Sequence, residues 1–329
     1  MASRLQKCVR LIPTSKATAQ AAQWAGTSPT TSKCNVRGSL RQGAMNPISA
    51  RLNMNRSAIA EVASLDEEHA QLKERIRRKP EDPDLRAQLF QVLALRGDWL
   101  RAQAALTMTL ELNPNADSLA GTYLRPLACE LMRAAVFAGA RRPEVCGADA
   151  AVERLADALQ LDAGGSDAQA GAVRAAAMAE LPARSGHVRL HGSDTRVPFA
   201  WLADGDSRFG PVLELFAGER YLWLPLAQVQ RIRLVPATSR CALVWSHGAI
   251  DLVTGKKIHG AVPVRYPLPA VATDQKILTA AYTEWQALAG ADQYLGIGQR
   301  MLVTDQGEYA LLDIAEIVFE LDDAQVSNV

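Results

Sequence analysis

The stretch "LPARSGHVRLHGSD", residues 181–194, is where the chain changes its pattern. Before it, from Leu65 to Pro182, apolar residues recur every three or four positions in a background of Ala and Leu, the spacing that lines one face of a helix. After it the apolar runs are short, β-prone and bounded by Gly, Pro, Asp and Ser. Helices followed by strands in separate blocks read as α+β. The boundary near 182–190 separates a helical domain at 61–185 from a small mixed α+β domain at 186–329, for which a curled antiparallel sheet is expected.

Upstream, Leu65, His69, Leu72 and Ile76 share one face of a first helix, which "KPEDPD" ends. A second helix covers about 84–96, "RGDW" turns the chain, and a third runs from about 99 to 112 into "NPN". Pro80 and Pro114 are 34 residues apart; Pro114 and Pro182, Gly97 and Gly165, and Ala102 and Ala170 are each 68 apart. Thirty-four is the tetratricopeptide period, so the helical part reads as TPR-like. The unit is degenerate: Phe90 stands where a small residue is expected, and residues 117–138 read as one long helix that Pro126 should kink. In such arrays the first helix of each unit faces a concave groove, which here assigns Ala87, Gln91, Ala94 and Leu95 to partner binding.

Downstream, "QRIRLV" turns Ile232 and Leu234 to one face and Arg231 and Arg233 to the other, as a half-buried strand requires. One helix is expected at about 272–288, carrying Ile277, Leu278, Ala281, Trp285 and Leu288. "QRMLVTDQGEYALLDIAEIVFEL" reads as a hairpin turning at Asp305-Gln306-Gly307, followed by a last strand.

Composition narrows the function classes. No run approaches the roughly 18 apolar residues of a spanning helix. The five cysteines are widely spaced with no C-x-x-C pair, which reads as reduced thiols in a cytoplasmic protein. His187 and His191 form the one close histidine pair, but Gly186 and Gly192 around them point to a strand or loop, and no metal site is assigned. Residues 1–60 hold nine of the 36 Lys and Arg and none of the 35 acids, which leaves the remainder with a net charge of −8. An acidic body argues against nucleic acid as the main ligand. The leader itself is expected to be disordered; its composition fits a transit peptide, a nucleic-acid-binding arm, or an upstream extension from a misassigned start, with Met45 and Met54 as later candidates.

The densest candidate for chemistry is "ADGDSRFGPVLELFAGERYLWLP", residues 203–225. Its "DGDSRFG" fails as a calcium loop, because Arg208 and Leu215 stand where an EF-hand needs a fifth-position Asp or Asn and a twelfth-position Glu. An acid/base pair could be Asp204 with Asp206, which would make an enzyme using Arg208 and Arg300 the alternative reading. The plainer reading is a fixed turn or docking surface, with Asp206 or Ser207 capping the chain, Arg208 paired with Asp204, and Gln299 and Arg300 nearby. "YLGIGQR" lacks the third glycine of a dinucleotide loop, "TGKK" lacks a Walker frame, and Ser246-His247 is no triad. No cofactor is therefore assigned.

Five phrases converge on a family: "LFQVLALRGDWLRAQAAL", "TYLRPLACELMRAAVFAG", "ADGDSRFGPVLELFAGERYLWLP", "VPVRYP" and "YLGIGQRMLVTDQGEYALLDIAEI". In this order, from about Leu65 to Glu320, the chain resembles the ImpE (also called TagJ) accessory proteins of bacterial type VI secretion. The resemblance implies a cytoplasmic, non-catalytic adaptor with a helical repeat-like part and an α+β part. It also implies two partners, the small subunit of the contractile sheath, bound through a helix of that subunit, and a ClpV-type AAA+ ATPase. The family has no recognised catalytic residues to carry over, and the basic leader departs from its pattern.

Overall fold

The computed structural model describes residues 64–268, 274–290 and 292–320, so the basic leader lies outside the described residues. The helical part comprises α1 (Leu65–Arg78), α2 (Pro83–Arg96), α3 (Trp99–Leu112), α4 (Asp117–Phe137), α5 (Ala150–Ala163) and α6 (Asp167–Glu180). Local chemistry sets these ends. Asp82 caps α2 by accepting from the N–H groups of Asp84 at 3.0 Å and Leu85 at 3.2 Å, with Pro83 pre-set for the first turn. Gly97 ends α2 at a φ of 74°, a left-handed cap that favours glycine.

Gly165 takes the same φ of 74° after α5, and Ala102 and Ala170 are both fully buried in the second helices of the hairpins α2–α3 and α5–α6. The 68-residue spacing therefore marks two hairpins built alike at their turns. Between them α4 remains one helix of 21 residues through Pro126.

The strands are β1 (Glu144–Val145), β2 (Gly186–Leu190), β3 (Arg196–Phe199), β4 (Leu202–Asp204), β5 (Val212–Ala217), β6 (Arg220–Pro225) and β7 (Val229–Leu234). They continue as β8 (Trp245–Leu252), β9 (Lys257–Pro263), β10 (Thr283–Ala287), β11 (Tyr294–Gly298), β12 (Met301–Thr304), β13 (Glu308–Ala310) and β14 (Ile314–Phe319). Nine of them form one sheet in the order β1-β6-β5-β9-β8-β7-β14-β2-β3, antiparallel except for the β1–β6 pair. A sheet of this size exceeds the small domain expected from the sequence. Two minor sheets, β13-β12-β4 and β10-β11, complete the strand part.

The helical and strand parts are intergrown. β1 lies in the helical stretch yet pairs with β6, Glu144 opposite Leu222 and Val145 opposite Trp223. A single cluster of buried side chains runs from Leu65 through Leu93, Leu127, Trp223, Trp245 and Ile317 to Phe319. Trp99, after the first hairpin turn, packs on Trp245 of the sheet at 6.0 Å between ring centroids. Within the pattern break itself, Arg184 donates to the carbonyls of Val229 at 2.7 Å and Glu320 at 2.6 Å while stacking over Phe319.

One expected element is absent. The helix expected at 272–288 is a short α7 (Gln275–Leu278) followed by β10, because the backbone turns left-handed at Ala280 (φ 55°) and Thr283–Ala287 pairs with β11. The hairpin turn falls where the sequence placed it, Asp305–Gly307 between β12 and β13, and Ile232 and Leu234 face inward with Arg231 and Arg233 outward; Gly255 turns the chain between β8 and β9. Cys129, Cys146 and Cys241 are free thiols, and among the described residues no helix is long and apolar enough to cross a membrane.

Gly186 opens β2 where the helical pattern ends, and a Cβ there would lie 2.1 Å from the Val318 carbonyl oxygen and 2.8 Å from Phe199 Cζ. Gly186→Ala is expected to lower unfolding free energy by about 1–3 kcal/mol through overpacking. Urea denaturation measures this, and an unchanged midpoint would show that the close approach of β2 to β14 does not constrain the fold.

Candidate functional site

The turn after β4 closes on itself before it meets anything else. Asp204 N–H donates to the Gly210 carbonyl at 2.7 Å, and Phe209 N–H to the Asp206 carbonyl at 3.0 Å. The Asp204 carboxylate accepts from the Asp206 N–H at 2.9 Å, and Asp206 from the Gly296 N–H at 3.0 Å. Asx-type bonding of this kind is what a D-G-D-S sequence favours in a turn.

Side chains from distant elements converge on the turn. Arg300, fully buried, forms ion pairs with Asp204 and with Glu214 of β5, and its Nε donates to the Pro263 carbonyl at 3.1 Å. Arg133 of α4 grips the same Glu214 with two parallel bonds of 2.7 Å each and donates to the Arg265 carbonyl at 3.0 Å. Tyr221 donates to Glu214, and Trp223 Nε1 in turn donates to the Tyr221 hydroxyl at 2.7 Å. Tyr266 donates to Asp204 at 2.7 Å, and Trp245 Nε1 to Glu130 at 3.2 Å. Arg265 reaches back to α2, where its Nη2 donates to the Ala94 carbonyl at 3.1 Å and its Nη1 to that of Leu95. Four buried carboxylates (Glu130, Asp204, Asp206, Glu214) are thus paired with three guanidiniums, those of the buried Arg133 and Arg300 and of Arg208 at the edge, while the buried Arg265 bonds backbone carbonyls beside them.

This arrangement corrects several sequence expectations. Arg208 pairs with Asp206, its Nη2 at 2.6 Å, and not with Asp204, which belongs to Arg300. Asp204, Asp206, Gln299 and Arg300 are buried and cannot form a docking surface as they stand. Gln299 is a structural link, donating to the Ala280 carbonyl at 2.7 Å and accepting from the Leu312 N–H at 3.2 Å. Ala94 and Leu95 are buried under Arg265 and do not line an open groove; Ala87 and Gln91 remain half-buried on the same helix. Sequence reading missed Glu130, Arg133, Glu214, Arg265 and Tyr266. The available signal was a charge isolated within an apolar run, as in "VLELF" and "AVPVRY", since such a charge is buried only with a partner.

The electrostatics divide the carboxylates. Burial pushes Asp204 up to about 6 despite Arg300, and it also raises Glu130 against the pull of Arg133. Burial acts on Glu214 too, but Arg133 and Arg300 outweigh it and hold this carboxyl down to about 2. Burial lowers Arg265 to about 10. A cleft of about 560 Å³ opens beside the cluster, walled by Trp99, Phe137, Arg265 and Tyr266. Glu130 and Arg133, which also line it, already bond Trp245 and Glu214. Among the described residues no group of three or more His, Cys, Asp or Glu is placed to hold a metal ion.

The fold and the cluster define an α+β protein whose densest set of charges is turned inward, binding the helical part to the sheet. Known proteins bear on which such protein this is. The ImpE protein family model matches residues 196–318. The type VI secretion system accessory component TagJ of Pseudomonas aeruginosa is 36% identical over 282 residues, covering 84% of this chain and 96% of TagJ. The crystal structure of protein VPA1032 from Vibrio parahaemolyticus superposes with a TM-score of 0.71 at 19% identity, covering 85% of this chain and 99% of that one, which is a likeness of fold. The chain belongs to the ImpE/TagJ family.

The Asp204 shift carries a pH prediction. Its folded pKa of about 6 lies above the ordinary 3.8, so the folded state binds the proton more tightly than the unfolded state. This group's contribution to stability therefore falls as pH rises through the window between those values. Relative to Asp204→Asn, the wild type should lose roughly 3 kcal/mol between pH 3.5 and pH 7. Denaturation of both proteins across that range tests it; a constant difference would mean that Asp204 ionises normally.

Proposed function

We propose that this protein is a non-catalytic adaptor of type VI secretion in the bacterial cytoplasm. It would hold a helix of the small sheath subunit and bring a ClpV-type AAA+ ATPase to it. The observation that carries the reading is the inward-facing charge cluster: every carboxylate that could act as a base in the "DGDSRFG" turn is buried and already bonded. A general base needs hydrogen-bond reach of a substrate proton, and these oxygens lack it. Membership of a family that includes an accessory component supports the same conclusion.

The two helix hairpins, read as degenerate tetratricopeptide units, are the proposed partner-binding part, with Ala87 and Gln91 as its accessible positions. Linking two partners on one chain raises their effective concentration for each other, so each contact can be of moderate affinity.

The test is co-sedimentation of the purified full chain with a sheath small subunit and a ClpV-type ATPase from the same type VI system. The expected result is retention of the sheath subunit, and at least tenfold weaker retention with Ala87→Glu/Gln91→Glu. Retention of neither partner by a chain that unfolds cooperatively would contradict the adaptor reading. The intact chain is needed because the helices and the sheet share one core.

A further inference from the structure

A groove of about 730 Å³ runs between the first half of α4 and the sheet, on the face that α4 leaves uncovered. Its place follows from register. On β8 the residues His247, Ala249 and Asp251 share one face, opposite Ala261, His259 and Lys257 of β9. On the neighbouring strand Arg233 stands opposite Ala249. The floor is therefore small and apolar at the half-buried Ala249, with Ala261 buried beneath it, and Val235, 58% exposed, extends it at one end.

The rim is cationic. Arg125 of α4 is exposed and makes no ion pair or hydrogen bond among the described residues. Arg233 and Lys257 face it across the floor and share one carboxylate, Asp251, at 2.9 and 3.5 Å. Three full charges against one acid leave the groove positive on a body whose sequence is net negative beyond residue 60. The groove also contains an unsatisfied polar group. His247 Nε2 is shielded from solvent and has no hydrogen-bond partner among the described residues, which is costly unless something completes it.

We infer that this groove is a docking site for an acidic segment of a protein partner, one that alternates carboxylates with small apolar side chains. The carboxylates would meet Arg125, Arg233 and Lys257, and the apolar side chains would lie on Ala249 and Val235. A nucleic acid fits less well: its charge continues beyond the groove over an acidic body, and its backbone offers nothing to an apolar floor. The inference rests on the partner-binding reading above, but places the contact on residues of α4 and the sheet, not on Ala87 and Gln91.

The experiment is fluorescence anisotropy on the full chain with a dye-labelled 12-residue peptide of Glu-Ala repeats, its Lys-Ala counterpart, and a single-stranded oligonucleotide of equal charge. The expected result is binding of the Glu peptide at least tenfold tighter than either alternative, weakening several-fold between 50 and 200 mM salt. Arg125→Glu/Lys257→Glu, both at exposed positions, should weaken it at least tenfold, whereas Arg77→Glu/Arg78→Glu on α1 should leave it unchanged.

The inference is overturned if the Glu peptide does not bind or binds no better than the Lys peptide. It is also overturned if the oligonucleotide binds more tightly, or if both charge reversals act alike. The same groove variant separates the two readings. A sheath subunit retained equally by wild type and variant would leave the adaptor standing and remove this groove from that contact. A sheath subunit retained by neither, with the peptide result intact, would do the reverse.

Discussion

Glu214 is the carboxylate on which the rest of the molecule is arranged. It sits in the middle of β5, fully buried, and receives Arg133 from a helix, Arg300 from the approach to β12, and Tyr221 from the next strand. A charge taken out of water is tolerated only when all its hydrogen-bonding positions are met. The chain cannot meet them piecemeal, because the donors lie 7, 81 and 86 residues away in sequence. Seating α4 on the sheet and closing the turn after β4 around Arg300 therefore have to happen together, and the shared hydrophobic cluster binds the two parts further.

Much of the fold was legible because its signals are local. "EDPD" before α2 and Gly97 after it are a cap and a stop, and both act within a few residues. The alternation of Arg231, Ile232, Arg233 and Leu234 marked a strand for the same reason. The expected helix at 272–288 failed where two periods compete. Ile277, Leu278, Ala281, Trp285 and Leu288 satisfy a helical spacing, but Thr283–Ala287 can also pair with Tyr294–Gly298, and the pairing prevailed once Ala280 broke the helix.

The candidate site was legible in residue type and not in pairing. The sequence drew attention to Asp204, Asp206, Arg208 and Arg300, and all four lie in the cluster. A local reading joins Asp204 to Arg208, because they are near in the chain; in the fold a partner 96 residues away takes that carboxylate and Arg208 turns to Asp206. The groove positions Ala94 and Leu95 failed for a related reason. Repeat geometry describes a hairpin by itself and does not anticipate that Arg265, from the sheet part, would bond the last-turn carbonyls of α2. Strong charge pairs fix the interior, while on an otherwise acidic body the groove beside α4 keeps three cations against one carboxylate.

The most direct test of this account is a double-mutant cycle at the centre of the cluster, comparing Arg133→Met, Glu214→Leu and the double variant by urea denaturation. If the pair holds α4 to the sheet, each single change costs about 3–5 kcal/mol, and the double variant is destabilised by clearly less than their sum. Single variants that keep wild-type stability while losing a partner or a turnover would contradict the account and make the buried cluster a functional centre.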